Sequence, residues 1–369
     1  MYKRQQYVLY SRETPRRWPN GLLRGGVAVK LLSWSRFWTQ GGLALECLLH
    51  PPDILFIPAH TMPIIRRPSL KTVVTIHGLE YEYLPQYYQF PQKHYLNFST
   101  EYAVRHATHL IAVSHWTKNQ LVERLGADSD KITVVYEGVS VVPPSEEPPI
   151  TNHQSPITTP YILFVGTVQP RKNLVRLIKA FSLITNDQLT NLHLGGGRCS
   201  SASWRIHSAT VRGDSSHQPP ITLLIAGKLG WMYEEILAAP KRFGVEKRVK
   251  FLGYVSEKKL AGLYSGALFF ILPSLCEGFG LPVLEAMRFG CPVIASKAGA
   301  LPEVVGDAGL LVDPYRVEEI AAAMKLMLEN PELREALREK GYQRVRQFSW
   351  QKTAKETLKV FEKVYNSPS

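Results

Sequence analysis

Short runs of consecutive apolar residues alternate along this chain with stretches whose apolar positions repeat every three to four residues. In the first half the runs are Tyr7–Tyr10, Asp53–Ile57, Thr72–Ile76, His109–Val113 and Ile132–Val135. Each reads as a strand. Ser114 supplies an N-cap for a helix running to about Leu125, and Gly126 stops it. In the second half the pattern predicts strands at Tyr161–Val165, Thr222–Ile225, Val249–Leu252, Leu268–Leu272 and Val293–Ala295. Helices are predicted at Leu174–Ile184, Tyr233–Phe243, Glu257–Tyr264 and Pro282–Arg288. Three amphipathic helices follow, at about 316–329, 332–347 and 350–365. Strands alternating with helices imply α/β architecture with parallel sheets covered on both faces.

Two stretches break the pattern. Residues 140–160 hold Pro143, Pro144, Pro148, Pro149, Pro156 and Pro160 among polar residues. Proline neither donates to a ladder nor continues a helix, so a domain boundary is expected there, near residue 150. Residues 195–220, with Gly195-Gly-Gly197 and several serines, carry no apolar period and read as an inserted surface loop. The reading is two domains, 1–150 and 151–349, followed by a helix over 350–369.

A chain of 369 residues suits two domains, and 45% apolar with 20% charged residues is an ordinary globular balance. Cys47, Cys199, Cys276 and Cys291 form no CxxC pair, which argues against a disulfide scaffold or structural zinc and for a reducing compartment. No run approaches the ~18 apolar residues of a membrane span, and the N-terminus leads into no apolar signal region. The expected location is therefore cytoplasmic.

A net charge of +13 calls for an anionic partner: nucleic acid, membrane or phosphorylated metabolite. Residues 1–71 hold eleven Lys/Arg against three Asp/Glu, whereas 72–137 hold five against seven. No nucleic-acid recognition motif is present. Residues 27–49 mix Trp, Phe and Leu with Lys and Arg. They read either as a segment lying on the inner face of the cell membrane or as an amphipathic helix packed on its own domain.

The densest chemistry is Pro273-Ser-Leu-Cys-Glu-Gly-Phe-Gly-Leu-Pro-Val-Leu-Glu285, between a strand and a helix. Its glycines allow close backbone approach, and the helix start offers N–H groups and a positive dipole end to a diphosphate. Glu285 is placed to accept hydrogen bonds from a ribose diol, and Glu277 to sit nearer a reacting centre. The competing reading is a tight connection with two solvated glutamates. Val165-Gly-Thr-Val-Gln-Pro-Arg-Lys-Asn173 is also a strand-to-helix loop, and Arg171 and Lys172 suit phosphate oxygens. A solvated basic turn is its alternative. Lys228 after Gly227 is a weaker third cation. His77, ending a strand in Thr75-Ile-His-Gly78, is a candidate polar contact or general base, and His60 a weaker one.

Together these stretches resemble the retaining glycosyltransferases of family 4. The most specific is Glu277-Gly-Phe-Gly-Leu-Pro-Val-Leu-Glu285, a glutamate, seven residues and a second glutamate. Phe164-Val-Gly-Thr, Pro170-Arg-Lys-Asn173, Gly299-Ala-Leu-Pro-Glu303, Phe348-Ser-Trp350 and Ala112-Val-Ser-His-Trp-Thr-Lys118 support it. The likeness runs from about Trp38 to Trp350 and is greatest to bacterial mannosyl- and rhamnosyltransferases of surface polysaccharide synthesis.

The resemblance implies a GT-B fold: two Rossmann-like domains facing a central cleft, the last helix packing back on the N-terminal domain. No Gly-rich loop precedes Gly25-Gly26, so that domain is expected to lack its first βα unit. It implies hexose transfer from a nucleotide-diphosphate sugar, GDP-, UDP- or dTDP-linked, to a glycan or lipid-linked acceptor, with retention and without a metal or other cofactor. Glu277 and His77 match the catalytic positions. Gly166, Thr167, Arg171, Lys172, Lys228, Gly278, Phe279, Gly280, Leu281 and Glu285 match the donor site. Relatives often carry Arg where Thr167 stands, and Arg171 is expected to supply that charge. A non-catalytic nucleotide-sugar-binding protein is the alternative, and a GT-B epimerase or phosphorylase is a weaker one.

Overall fold

The computed structural model describes residues 6–14, 27–88, 92–139, 159–185 and 221–367. The inserted loop expected at 195–220, and nearly all of the proline-rich stretch, lie outside these residues. The contacts divide the chain into two units, residues 1–136 with 351–369, and residues 137–350.

The first unit opens with strands β1 (Tyr7–Ser11) and β2 (Val27–Leu31), which pair in parallel. A single turn at Thr39–Leu43 runs into helix α1 (Ala44–Leu49). Strands β3 (Ile54–Ile57) and β4 (Lys71–Ile76) follow, then helices α2 (Glu80–Tyr83) and α3 (Gln92–His106). Strand β5 (His109–Ala112), helix α4 (His115–Leu125) and strand β6 (Ile132–Val134) come next. Strands β3-β4-β5-β6 form one parallel sheet in sequence order. The Ser114 side chain accepts from the Thr117 amide, and Gly126 closes the helix in the left-handed region at φ 63°.

The segment 27–49 is not one amphipathic stretch. Val27-Ala-Val favours extended backbone and pairs with β1, and helix begins only at Thr39. Leu43, Ala44 and Cys47 then turn inward.

Alternation along β4 and β5 sends side chains to both faces of the sheet. Val74, Ile76, Leu110 and Ala112 join a core with Leu43, Cys47 and Leu121. Val73 and Ile111 join Val360 and Val364 of the terminal helix. Phe56 and Phe361 meet edge to face, centroids 5.2 Å apart. Lys71 Nζ donates to the carbonyls of Val364, Tyr365 and Ser367 at 2.7–3.0 Å, closing the end of that helix.

The second unit starts with strand β7 (Tyr161–Val165), helix α5 (Leu174–Thr185) and strand β8 (Thr222–Ala226). Helix α6 (Glu234–Arg242), strand β9 (Val249–Gly253), helix α7 (Glu257–Gly266) and strand β10 (Phe269–Leu272) follow. Next are helix α8 (Leu281–Arg288), strand β11 (Val293–Ser296), helix α9 (Leu301–Val305) and strand β12 (Gly309–Val312). Helices α10 (Val317–Glu329) and α11 (Pro331–Val345) complete it, and α12 (Trp350–Asn366) returns to the first unit. Every strand pair is parallel, in the order β12-β11-β10-β7-β8-β9. β8, β10 and β11 are buried along their whole length, which is why they are unbroken apolar runs rather than alternating ones.

This is the doubly wound order. The chain runs outward from β7 to β9, then crosses back to place β10 on the other side of β7. The strand order therefore reverses between β7 and β10, which makes the carboxyl ends of these two strands the switch point.

Candidate active site

The two loops at this switch point carry the predicted cations and the first glutamate. After β7, Pro170–Lys172 forms one 3-10 turn, and Asn173 follows in the left-handed region at φ 63°. Asn173 Nδ2 donates to the carbonyls of Pro273, at 3.0 Å, and Pro314, at 2.6 Å. The Leu275 amide donates to the Arg171 carbonyl at 2.9 Å. The β7 loop is thereby stitched to the β10 loop, and the side chains of Arg171 and Lys172 converge on Glu277.

Both oxygens of Glu277 are engaged. Lys172 Nζ pairs with Oε1, and Arg171 donates to Oε2 at 3.1 Å. Lys172 is 6% exposed and Glu277 7%, so neither the solvated basic turn nor the solvated glutamate describes them. Burial alone would raise the Glu277 pKa, but the charges of Lys172 and Arg171 outweigh it and hold the group at about 2. Two cations on one carboxylate leave a local excess of one positive charge, as a diphosphate requires.

The loop beyond Glu277 is supported from behind. The Ala300 amide donates to the Glu277 carbonyl at 2.8 Å. Gly278, Phe279 and Gly280 are buried, and Gly280, at φ 109°, precedes Leu281, the first residue of α8. Thus the positive end of α8 opens at the same loop that carries Glu277. Glu285 lies one turn on, where Tyr264 of α7 donates to its Oε2 at 2.9 Å.

Gly166 places its missing side chain beside the Lys172 stem. A Cβ on neighbouring Gly227, at φ 154°, would fall 1.9 Å from the Gly166 carbonyl oxygen. Gly227→Ala is expected to cost on the order of 3 kcal/mol, because backbone must move against backbone. Gly244→Ala, at φ 69° with open space around it, should cost only about 1 kcal/mol of conformational strain. Melting temperatures of the two variants check this, and equal losses would refute the close approach. Thr167 is exposed, and exposed Lys228 lies over the Tyr254 ring at 5.0 Å.

His77 belongs to the first unit, at the carboxyl end of β4. Its Nε2 donates to the Pro58 carbonyl at 2.7 Å, and its amide donates to His60 Nε2 at 3.4 Å. His60 Nδ1 then lies 3.1 Å from Thr100 Oγ1. Burial and neighbouring His77 lower the His60 pKa to about 4, which keeps it neutral.

Asn173, Tyr264 and Gly299 were not among the candidates. Asn after a Pro-x-x turn suits left-handed backbone, and Tyr at an apolar helix position signals a buried hydrogen bond. Gly299 leaves nothing local to read: its missing Cβ would fall 2.4 Å from the Glu277 carbonyl oxygen.

Two Rossmann-like units, one with paired cations and a carboxylate at its switch point, define a glycosyltransferase of GT-B architecture. The family model "Glycosyltransferase Family 4" matches residues 5–142, and "Glycosyl transferases group 1" matches 206–344. The chain is 28% identical over 296 residues to the O-antigen chain mannosyltransferase B of Escherichia coli, covering 79% of this chain and 70% of that one. It is 43% identical over 124 residues to the MMP alpha-(1->4)-mannosyltransferase of Mycolicibacterium hassiacum, 32% of this chain and 30% of that one. Anabaena HepE, solved in complex with UDP and glucose, superposes with a TM-score of 0.65 at 18% identity, over 92% of this chain and 88% of that chain. The chain belongs to the family 4 glycosyltransferases.

Proposed function

We propose that the chain transfers a hexose of the mannose or rhamnose type from a nucleotide-diphosphate sugar to a glycan or lipid-linked acceptor, with retention of configuration. The observation that carries this is the convergence of Arg171, Lys172 and Glu277 at the β7/β10 switch point. The mannosyltransferase names of relatives support the sugar, and the UDP and glucose bound by HepE support the donor class.

Bond cleavage leaves negative charge on the diphosphate and an oxocarbenium-like sugar. Arg171, Lys172 and the start of α8 would stabilise the diphosphate, with no metal needed for that charge. Glu277 would lie near the sugar carbon, and Glu285 would accept from the ribose. Gly166 and the amides of Gly278, Phe279, Gly280 and Leu281 would approach the phosphates, with Thr167 and Lys228 at the margin. His77 would contact the acceptor through its own unit. A thermal-shift panel of GDP-, UDP- and dTDP-sugars tests the donor class. A shift with none of them would overturn the reading. Proton NMR of the product reads the anomer, and an inverted linkage would refute retention.

We also propose a peripheral membrane contact on the cytoplasmic face. Within the first unit Ile64 and Ile65 are exposed beside exposed Arg67, apolar and basic together. No helix among the described residues is long and apolar enough to cross a membrane. The protein should float with anionic vesicles at low salt and be released by salt. Absence of flotation would end the membrane proposal and leave the donor chemistry untouched.

A further inference from the structure

Tyr264 is 1% exposed, yet its hydroxyl has one well-formed use, the 2.9 Å hydrogen bond to Glu285 Oε2. Its ring is fixed on both sides. It stacks on Phe289 with centroids 5.9 Å apart and planes 11° from parallel, and it meets Phe270 edge-on at 5.7 Å. The helix that carries it is fixed as well. Tyr161 of β7 donates through its hydroxyl to the Leu263 carbonyl at 2.9 Å, and a Cβ on Gly266 would fall 2.6 Å from that same hydroxyl oxygen. The phenol is therefore held in one place by the central strand and two aromatic rings. A buried phenol needs a partner, and phenylalanine would fill the same volume without one. Among the described residues Glu285 Oε1 accepts no hydrogen bond.

We propose that Tyr264 is the positioning residue for Glu285. It locks the carboxylate through Oε2, so that Oε1 is presented in one orientation to the ribose diol of the donor. This rests on the reading of Glu285 as the ribose-binding carboxylate. Without the phenol the carboxylate would rotate, and each orientation would meet the diol only part of the time. The phenol also stabilises the ionised form. Burial raises the Glu285 pKa, the Tyr264 hydrogen bond and Arg288 oppose this, and Glu257 adds to it.

The test is calorimetric titration with GDP and UDP and with their 2′,3′-dideoxy counterparts. The wild-type chain should prefer the diol form of the nucleotide it binds by about tenfold or more. Tyr264→Phe should lose most of that preference while binding the dideoxy form as the wild type does. Its affinity for the diol form should also be lost at a higher pH on acidification, because Glu285 protonates sooner. In a Glu285→Ala background, adding Tyr264→Phe should change nothing further. Packing alone would not move the diol preference or its pH dependence. If Glu285→Ala abolishes the preference and Tyr264→Phe keeps it, the positioning role is overturned and the ribose reading stands. If Glu285→Ala keeps the preference, or neither nucleotide binds, the ribose reading fails and takes this inference with it. A Tyr264→Phe variant too unstable to titrate at 25 °C would also overturn it, since the hydroxyl would then be serving the fold and not the nucleotide.

Discussion

Glu277→Gln is expected to lower sugar transfer by about a thousandfold while strengthening the binding of nucleoside diphosphate by about tenfold. The two effects have opposite signs because Glu277 has two partners. In the ligand-free protein its oxygens neutralise Lys172 and Arg171, so an arriving diphosphate competes with a buried carboxylate for both cations. A neutral amide removes the competitor. The same amide also removes the negative charge proposed to face the oxocarbenium-like carbon, and transfer is lost. The expected cost in stability is about 3 kcal/mol, because two cations are left without their buried counter-charge. Saturating nucleoside diphosphate should restore much of that stability by supplying the anion. Initial rates, calorimetric affinities and melting curves with and without nucleotide check the three parts. Transfer at the wild-type rate would refute the catalytic role of Glu277, and weaker nucleotide binding would refute the competition.

Much of the second unit is legible from the sequence, because its central strands are buried on both faces and bounded by Gly or Pro. Tyr161–Val165 and Thr222–Ala226 are runs that no surface helix carries, and glycines at 166 and 227 end them. Ser114 and Gly126 bracket α4 because caps are written in residue type. Short elements were harder. The five-residue α9 is too brief for a period to emerge and only its Gly299–Glu303 motif was visible, while β12, a half-buried strand at the sheet edge, went unread. The segment 27–49 misled because its aromatics and cations suggested one amphipathic surface, when strand pairing claims its first part.

At the site, residue types and loops were readable, but the pairing was not. Arg171 and Lys172 reach Glu277 across more than a hundred positions, and only the adjacency of β7 and β10 brings them together. That adjacency is a property of strand order. Local spacing carries no trace of it, so Glu277 read as a carboxylate near a reacting centre and not as the partner of the two cations.

Lys172→Met should have the largest effect on donor binding, lowering nucleoside diphosphate affinity about thirtyfold with little change for the free nucleoside. The variant keeps an unbranched apolar stem and loses the ammonium, with its charge and its hydrogen bond to Glu277, so the change isolates that group. Lys172 outranks Arg171 because its side chain is 8% exposed against 18%, and water screens it less. Stability should fall too, and its pH dependence identifies the cause. In the wild type the Glu277 pKa is depressed from 4.5 to about 2. A depressed carboxylate contributes stability that is fully present above its unfolded value and is lost as pH falls through the folded one. Removing Lys172 leaves burial opposed by Arg171 alone, so the Glu277 pKa rises and that contribution shrinks. The gap between wild type and variant should be full at neutral pH and should narrow between about pH 4.5 and 2. A gap independent of pH would place the loss in packing. An unchanged diphosphate affinity would remove Lys172 from the donor site and leave the buried ion pair as a structural clasp between the two loops.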